Sequence, residues 1–177
     1  ATKYIGGHSD LIAGAASGKA DAVARIREYR HFLGGMADPN TCWMLMRSME
    51  TLAIRVRHQQ DVAEQVFAHL RKHPKVQRFI SAWSVDLPDG EKAIAKEQML
   101  GGGAMAAFEV AGGRTGAFRV LNAFTHFQLA VSLGSTESLA EHPASMTHAG
   151  VPLEVKAQYG ISEGLIRISV GIERPED

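Results

Sequence analysis

From Asn40 to Leu70 the apolar residues return at helical spacing: Trp43, Met46, Met49, Leu52, Ile54 and Val56, then Val62, Val66, Phe67 and Leu70. No other feature of the chain constrains its fold as much, because a pattern this long demands one extended helix or two in line. Asn40 or Thr41 is placed to cap its start, just after the loop residues Asp38-Pro39. His73-Pro74 stops it, since proline disfavours helical backbone in the residue before it. A helix of this length joins two bodies. The chain is therefore divided into residues 1–38, a linking helix over 39–73, and a second domain over 74–177.

The two flanks differ in texture. Before the helix, Leu11 to Ser17 is short, apolar and rich in small residues, and the spacing predicts a buried strand. Ala20 to Phe32 mixes charge with Ala22, Val23, Ile26 and Tyr29, which predicts an amphipathic helix closed by Gly34-Gly35. After Pro74 the elements are short and alternate. Strands are expected over Val76–Ile80, Ala104–Val110, Gln128–Ser132 and Leu165–Gly171, and helices over Asp89–Gln98, Arg114–Phe124 and Glu154–Tyr159. That is an α+β layout with four strands.

Lys and Arg together number 19, as do Asp and Glu. This balance argues against nucleic acid or an anionic membrane as a partner, since both need a basic surface. No apolar run approaches the roughly 18–20 residues of a membrane span. Cys42 is the only cysteine, so no intramolecular disulfide can form, and a reducing, cytoplasmic setting is expected. The chain opens Ala1-Thr2-Lys3 without an initiator Met and stops soon after an apolar strand, so a fragment of a longer protein is expected.

Few residues suggest chemistry by themselves. Lys3 precedes a tight polar turn, Gly6-Gly7-His8-Ser9-Asp10, that feeds the expected strand. Most terminal lysines are solvated charges, but one beside a glycine turn and a sheet edge is placed to attack an aldehyde. Arg167 stands between Ile166 and Ile168. Either the strand alternates, with Arg167 and Ser169 turned to water, or the guanidinium is a clamp for a carboxylate. Ser132 to Ser138 is a hydroxyl-rich turn able to present N–H groups to an anion. His69 and His73 have the i, i+4 spacing of zinc ligands, but Lys72 and Lys75 crowd them and no metal is expected. The triplet Gly101-Gly102-Gly103 lacks the ending of a phosphate loop, and Met44, Met46 and Met49 read as core filler.

Taken together, four segments carry a resemblance. Ala1 to Asp10 resembles the cofactor-lysine motif of the Cys/Met-metabolism enzymes that use pyridoxal 5'-phosphate (PLP), among them cystathionine γ-synthase, the cystathionine lyases and methionine γ-lyase. Arg47-Ser48-Met49-Glu50-Thr51-Leu52 is similar to a helix of that family. Ser132-Leu133-Gly134 with His142-Pro143-Ala144-Ser145-Met146-Thr147-His148 resembles its substrate-carboxylate loop, and Gly160 to Glu173 its closing strand. The resemblance implies an α/β fold of the PLP-dependent transferase type. Residues 1–38 would end the large PLP-binding domain, and 74–177 would form a small α+β domain lacking its final helix. It implies that Lys3 binds the cofactor covalently and shuttles protons, that Thr2 binds the cofactor phosphate, and that Arg167, Ser132 and Thr147 bind the substrate carboxylate. It further implies a homotetramer in the intact enzyme, acting on a small amino acid in transsulfuration or methionine and cysteine metabolism.

The residue before Ser132-Leu133-Gly134 is Val131. In relatives that handle cystathionine this position is commonly acidic, whereas in methionine γ-lyases it is commonly Val. An apolar side chain suits a thioether and a carboxylate suits a distal ammonium. The resemblance thus implies that Val131 is a specificity residue, and the leading expectation is a carbon–sulfur lyase performing α,γ-elimination on methionine or a related thioether amino acid. Arg30-His31-Phe32-Leu33 departs from the Lys-Asp pair expected in such an enzyme. Two alternatives stay open: γ-replacement on an activated homoserine ester, and a non-catalytic interaction domain descended from the family.

Overall fold

The computed structural model describes residues 1–83 and 88–176. The chain forms two compact units, Ala1–Ala53 and Ile54–Asp177.

In the first unit, helix α1 spans Ala20–Leu33 and α2 spans Pro39–Met49. Asp38 caps α2, its carboxylate accepting from Asn40 N (2.9 Å) and Thr41 N (3.1 Å), with Pro39 in the first turn. These bonds, that of the Thr41 hydroxyl foremost, hold the Asp38 carboxyl below its ordinary range. The cap thus lies two positions before Asn40 and three before Thr41, the residues expected to supply it. The long helical pattern is broken at Glu50-Thr51, where Thr51 N bonds Ser48 O (3.4 Å), and it resumes as α3 over Leu52–Lys72. Leu11 to Ser17 is not a strand. Leu11 is buried, but Ile12 is 88% exposed, and a strand without a neighbouring strand has no ladder to satisfy its amides. Nor are the α2 methionines core: Met46 and Met49 share an exposed stripe with Trp43.

The second unit is built on a sheet of five strands among the described residues, in the order β1-β2-β5-β4-β3. Strand β1 spans Val76–Ser81, β2 Met105–Val110, β3 Gln128–Leu129, β4 Leu139–Glu141 and β5 Leu165–Ser169. All neighbours are antiparallel except β3 and β4. Among the described residues, three further helices follow α3: α4 over Asp89–Gln98, α5 over Gly113–Ala123 and α6 over Leu153–Gln158. Phe108 and Ile168 are fully buried and, with Val66 and Leu70 of α3 and Val120 of α5, line an apolar groove of about 800 Å³. Strand alternation therefore turns Arg167 to the opposite face from this groove.

The end of β5 depends on Gly171. A Cβ there would fall well inside contact of the Thr136 carbonyl oxygen and lie 2.6 Å from the Glu137 carbonyl carbon. Gly171→Ala is expected to destabilise the second unit by about 1–3 kcal/mol, because backbone crowding is not relieved by a side-chain rotation. Gly150→Ala, where nothing lies near the added carbon, serves as the control in a denaturant titration.

Candidate active site

Candidate residues occur in each of the two units. In the first, Lys3 is exposed on a turn closed by Gly6 N to Ala1 O (2.8 Å) and Gly7 N to Lys3 O (2.7 Å). Ala13 pins the turn: its carbonyl accepts from Ala1 N (2.8 Å) and Thr2 N (3.1 Å), and its N–H donates to Thr2 Oγ1 (2.9 Å). Gly6 packs on the buried Leu11, where a Cβ would meet the leucine side chain at 3.1 Å. Ser9 holds φ 57°, a left-handed conformation that costs a residue with a Cβ on the order of 1–2 kcal/mol. Lys3 is thus carried on backbone fixed from both sides.

In the second unit, four of the expected residues come together. Arg167 donates through Nη2 to the carbonyls of Val131 and Ser132, both at 3.0 Å, and its Nη1 lies 2.8 Å from Glu141 Oε1. Thr147 Oγ1 donates to the same carboxylate oxygen at 3.0 Å. With its only proton given to Glu141, that hydroxyl accepts from His148 Nδ1 (2.9 Å), which fixes the tautomer of His148. The Val131 side chain stays outside the bonding and is exposed.

Alternate residues of β5 and its continuation hang the Val131–Ser138 loop. After Arg167, the Ser169 hydroxyl accepts from Gly134 N (2.9 Å), Gly171 N donates to Ser138 Oγ (2.9 Å), and Glu173 accepts from Ser138 N (2.6 Å) and its hydroxyl (2.8 Å). Ser169 is therefore buried, not turned to water. The loop bearing Thr147 is secured separately. His142 donates through Nε2 to Glu163 O (3.0 Å) and accepts at Nδ1 from Ser145 Oγ (2.7 Å), while Lys156 Nζ donates to Ala144 O (2.9 Å). The Glu163 carboxylate meets Arg114 at 2.7 and 3.2 Å, and that bond holds its carboxyl below the ordinary range. This exposed clasp is complete above the ordinary carboxylate pKa and is lost as pH falls through the lowered one.

Glu141 is absent from the residues that the sequence singles out. Its side chain is fully buried, and it stands directly across the ladder from Arg167. A signal for it exists: an arginine inside an apolar strand requires a buried acid, and Leu139-Ala140-Glu141 is an apolar run ending in one.

The whole sequence, residues 1–177, matches the family of Cys/Met metabolism PLP-dependent enzymes. The chain belongs to this family. It is 41% identical to L-methionine γ-lyase of Pseudomonas deceptionensis over 175 residues, covering 98% of the chain and 43% of that protein. It is 37% identical to the chloroplastic cystathionine γ-synthase 1 of Arabidopsis thaliana over 177 residues, covering 100% of the chain and 31% of that protein. Its fold is that of the crystal structure of a cystathionine γ-lyase from Micromonospora echinospora, with a TM-score of 0.90 at 40% identity over 99% of this chain and 46% of that one. The α/β fold expected from the resemblance is thereby established, as is a PLP-dependent family of lyases and synthases. The chain spans less than half the length of each of these relatives.

The residues present fit part of a PLP site. Lys3 supplies an exposed primary amine on a fixed turn, the donor that an aldehyde cofactor needs. Thr2 Oγ1 is already engaged, donating to Ala13 O at 3.2 Å, so binding a phosphate would require its hydroxyl to turn.

Proposed function

We propose that the intact enzyme is a carbon–sulfur lyase that performs α,γ-elimination on methionine or a related thioether amino acid, in the cytoplasm and as a homotetramer. The supporting observation is the pairing of a cation with an apolar side chain. The Val131 carbonyl accepts from Arg167 while the Val131 side chain remains exposed. A substrate whose carboxylate meets Arg167 can then lay an uncharged thioether against Val131. PLP, when bound, supplies the electron sink that stabilises a substrate carbanion. Lys3 Nζ holds the cofactor's aldehyde and moves the proton at the substrate carbon. Arg167, with Ser132 and the loop that carries Thr147, orients the substrate carboxylate, and Thr2 contributes to holding the phosphate. In this reading residues 1–38 close the large domain, 39–73 link, and 74–177 form the substrate domain.

The deciding assay supplies the intact enzyme with methionine alone, then with an activated homoserine ester and a thiol. Release of thiol, ammonia and a 2-oxo acid from methionine is expected. Turnover only with the ester and thiol together would establish γ-replacement instead. Val131→Glu is expected to lower kcat/KM for methionine about tenfold relative to a thioether carrying a distal ammonium, the size of one favourable charge contact that only the ammonium can make. An unchanged ratio of the two kcat/KM values would remove Val131 from the specificity site.

A further inference from the structure

The buried carboxylate of Glu141 does something that stability alone does not explain. Its Oε1 receives both Arg167 Nη1 and Thr147 Oγ1, while its Oε2 is buried with no hydrogen-bond partner. A buried ion pair with one oxygen unsatisfied is a poor stabiliser compared with apolar residues of the same volume. What it achieves is geometry. The strand register sets Glu141 opposite Arg167, so the guanidinium is held at Nη1 from across the ladder and at Nη2 by two loop carbonyls. These holds are unequal, because a bond to a carboxylate is roughly twice as strong as one to a neutral carbonyl. When a second carboxylate arrives, the carbonyl bonds at Nη2 give way and the bond to Glu141 stays. Thr147 is fixed through the same oxygen.

We infer that Glu141 is the positioning residue of the substrate-carboxylate site, anchoring Arg167 by one edge so that Nη2 and Nε can be exchanged to the substrate. This rests on the reading of Arg167 as the carboxylate clamp. The test uses the intact, cofactor-loaded enzyme. Glu141→Ala is expected to raise KM for the amino-acid substrate about tenfold with kcat within about threefold of the parent. Glu141→Gln, which keeps an acceptor at the Oε1 position but a neutral one no stronger than the loop carbonyls, is expected to give a KM between those of the parent and Glu141→Ala. On an Arg167→Ala background, adding Glu141→Ala should raise KM no further, because the residue through which Glu141 acts is already gone.

Should Glu141→Ala fail to fold, Glu141→Met fills the same volume without an acceptor and carries the same expectation. A folded Glu141→Ala or Glu141→Met enzyme with unchanged KM overturns the inference, as does a multiplicative loss in the double mutant. If Arg167→Ala itself leaves KM unchanged, the clamp reading has failed. If Arg167→Ala raises KM and the Glu141 variants do not, only the anchor has failed.

Discussion

Replacing Lys3 with alanine in the intact enzyme is expected to lower kcat by a factor on the order of 10²–10⁴ or more, the contribution of a positioned proton-transfer group, with loss of covalent attachment added to it. The expectation rests on an exposed amine carried by a turn whose backbone is closed at Gly6 and Gly7 and tied to Ala13. The substitution leaves those backbone bonds in place, so the unfolding midpoint of the cofactor-free protein should change little. Lys3→Arg keeps the charge but has no amine able to condense with an aldehyde, and it should be as inactive as alanine. Activity of either variant near the parent's would show that Lys3 is only a solvated surface charge.

Arg167→Ala should have the second-largest effect. Removing a bidentate partner of a carboxylate in a partly dry site costs on the order of 2–5 kcal/mol, so KM for any amino-acid substrate should rise by roughly 30-fold or more. A second consequence comes from Glu141. Without Arg167 its buried charge keeps only Thr147, and the Val131 and Ser132 carbonyls lose the donor they share. Breaking such a pair from one side destabilises by about 3–5 kcal/mol in a fully buried setting, and less here, where the Arg167 side chain is 22% exposed. A lowered unfolding midpoint should therefore accompany the raised KM. The visible absorbance of the bound cofactor should persist, because Lys3 belongs to another part of the chain. Normal KM with lost cofactor absorbance would make Arg167 structural. Arg167→Lys should resemble alanine in KM, since a single ammonium cannot serve Glu141, two carbonyls and a substrate together.

Much of the fold is legible in the sequence, for local reasons. Helix α4 falls on Asp89–Gln98 as the pattern requires, and α1 runs Ala20–Leu33 against an expected Ala20–Phe32. Periodicity and Pro and Gly punctuation are short-range signals that tertiary context does not override. What the sequence misplaces depends on partners distant along the chain. Leu11 to Ser17 has the composition of a strand, but composition does not supply a neighbouring strand. Strand β4 is hidden within a loop-like stretch because Leu139-Ala140-Glu141 is too short for alternation to show. The strand expected over Gln128–Ser132 is shorter in the fold: only Gln128–Leu129 pairs, after which Val131 and Ser132 turn their carbonyls to Arg167.

The site divides in the same way. Arg167 stands out because a charge inside an apolar strand is conspicuous in one dimension. Val131, Ser132 and Thr147 come from resemblance, and the structure brings all three to Arg167 or its carboxylate partner. Glu141 acts across the sheet, and Glu173 and the buried Ser169 hold a loop distant along the chain; such pairings are invisible until strand order and register are known.

Whether this chain carries the cofactor lysine of a PLP-dependent enzyme is decided most directly by one measurement. The intact, PLP-loaded protein is reduced with borohydride, digested, and its peptides mapped by mass. The pyridoxyl label is expected on Lys3, within the peptide that contains Ala1-Thr2-Lys3-Tyr4-Ile5. A label on any other lysine, or an unmodified Lys3 in protein that has retained reduced cofactor, would contradict it.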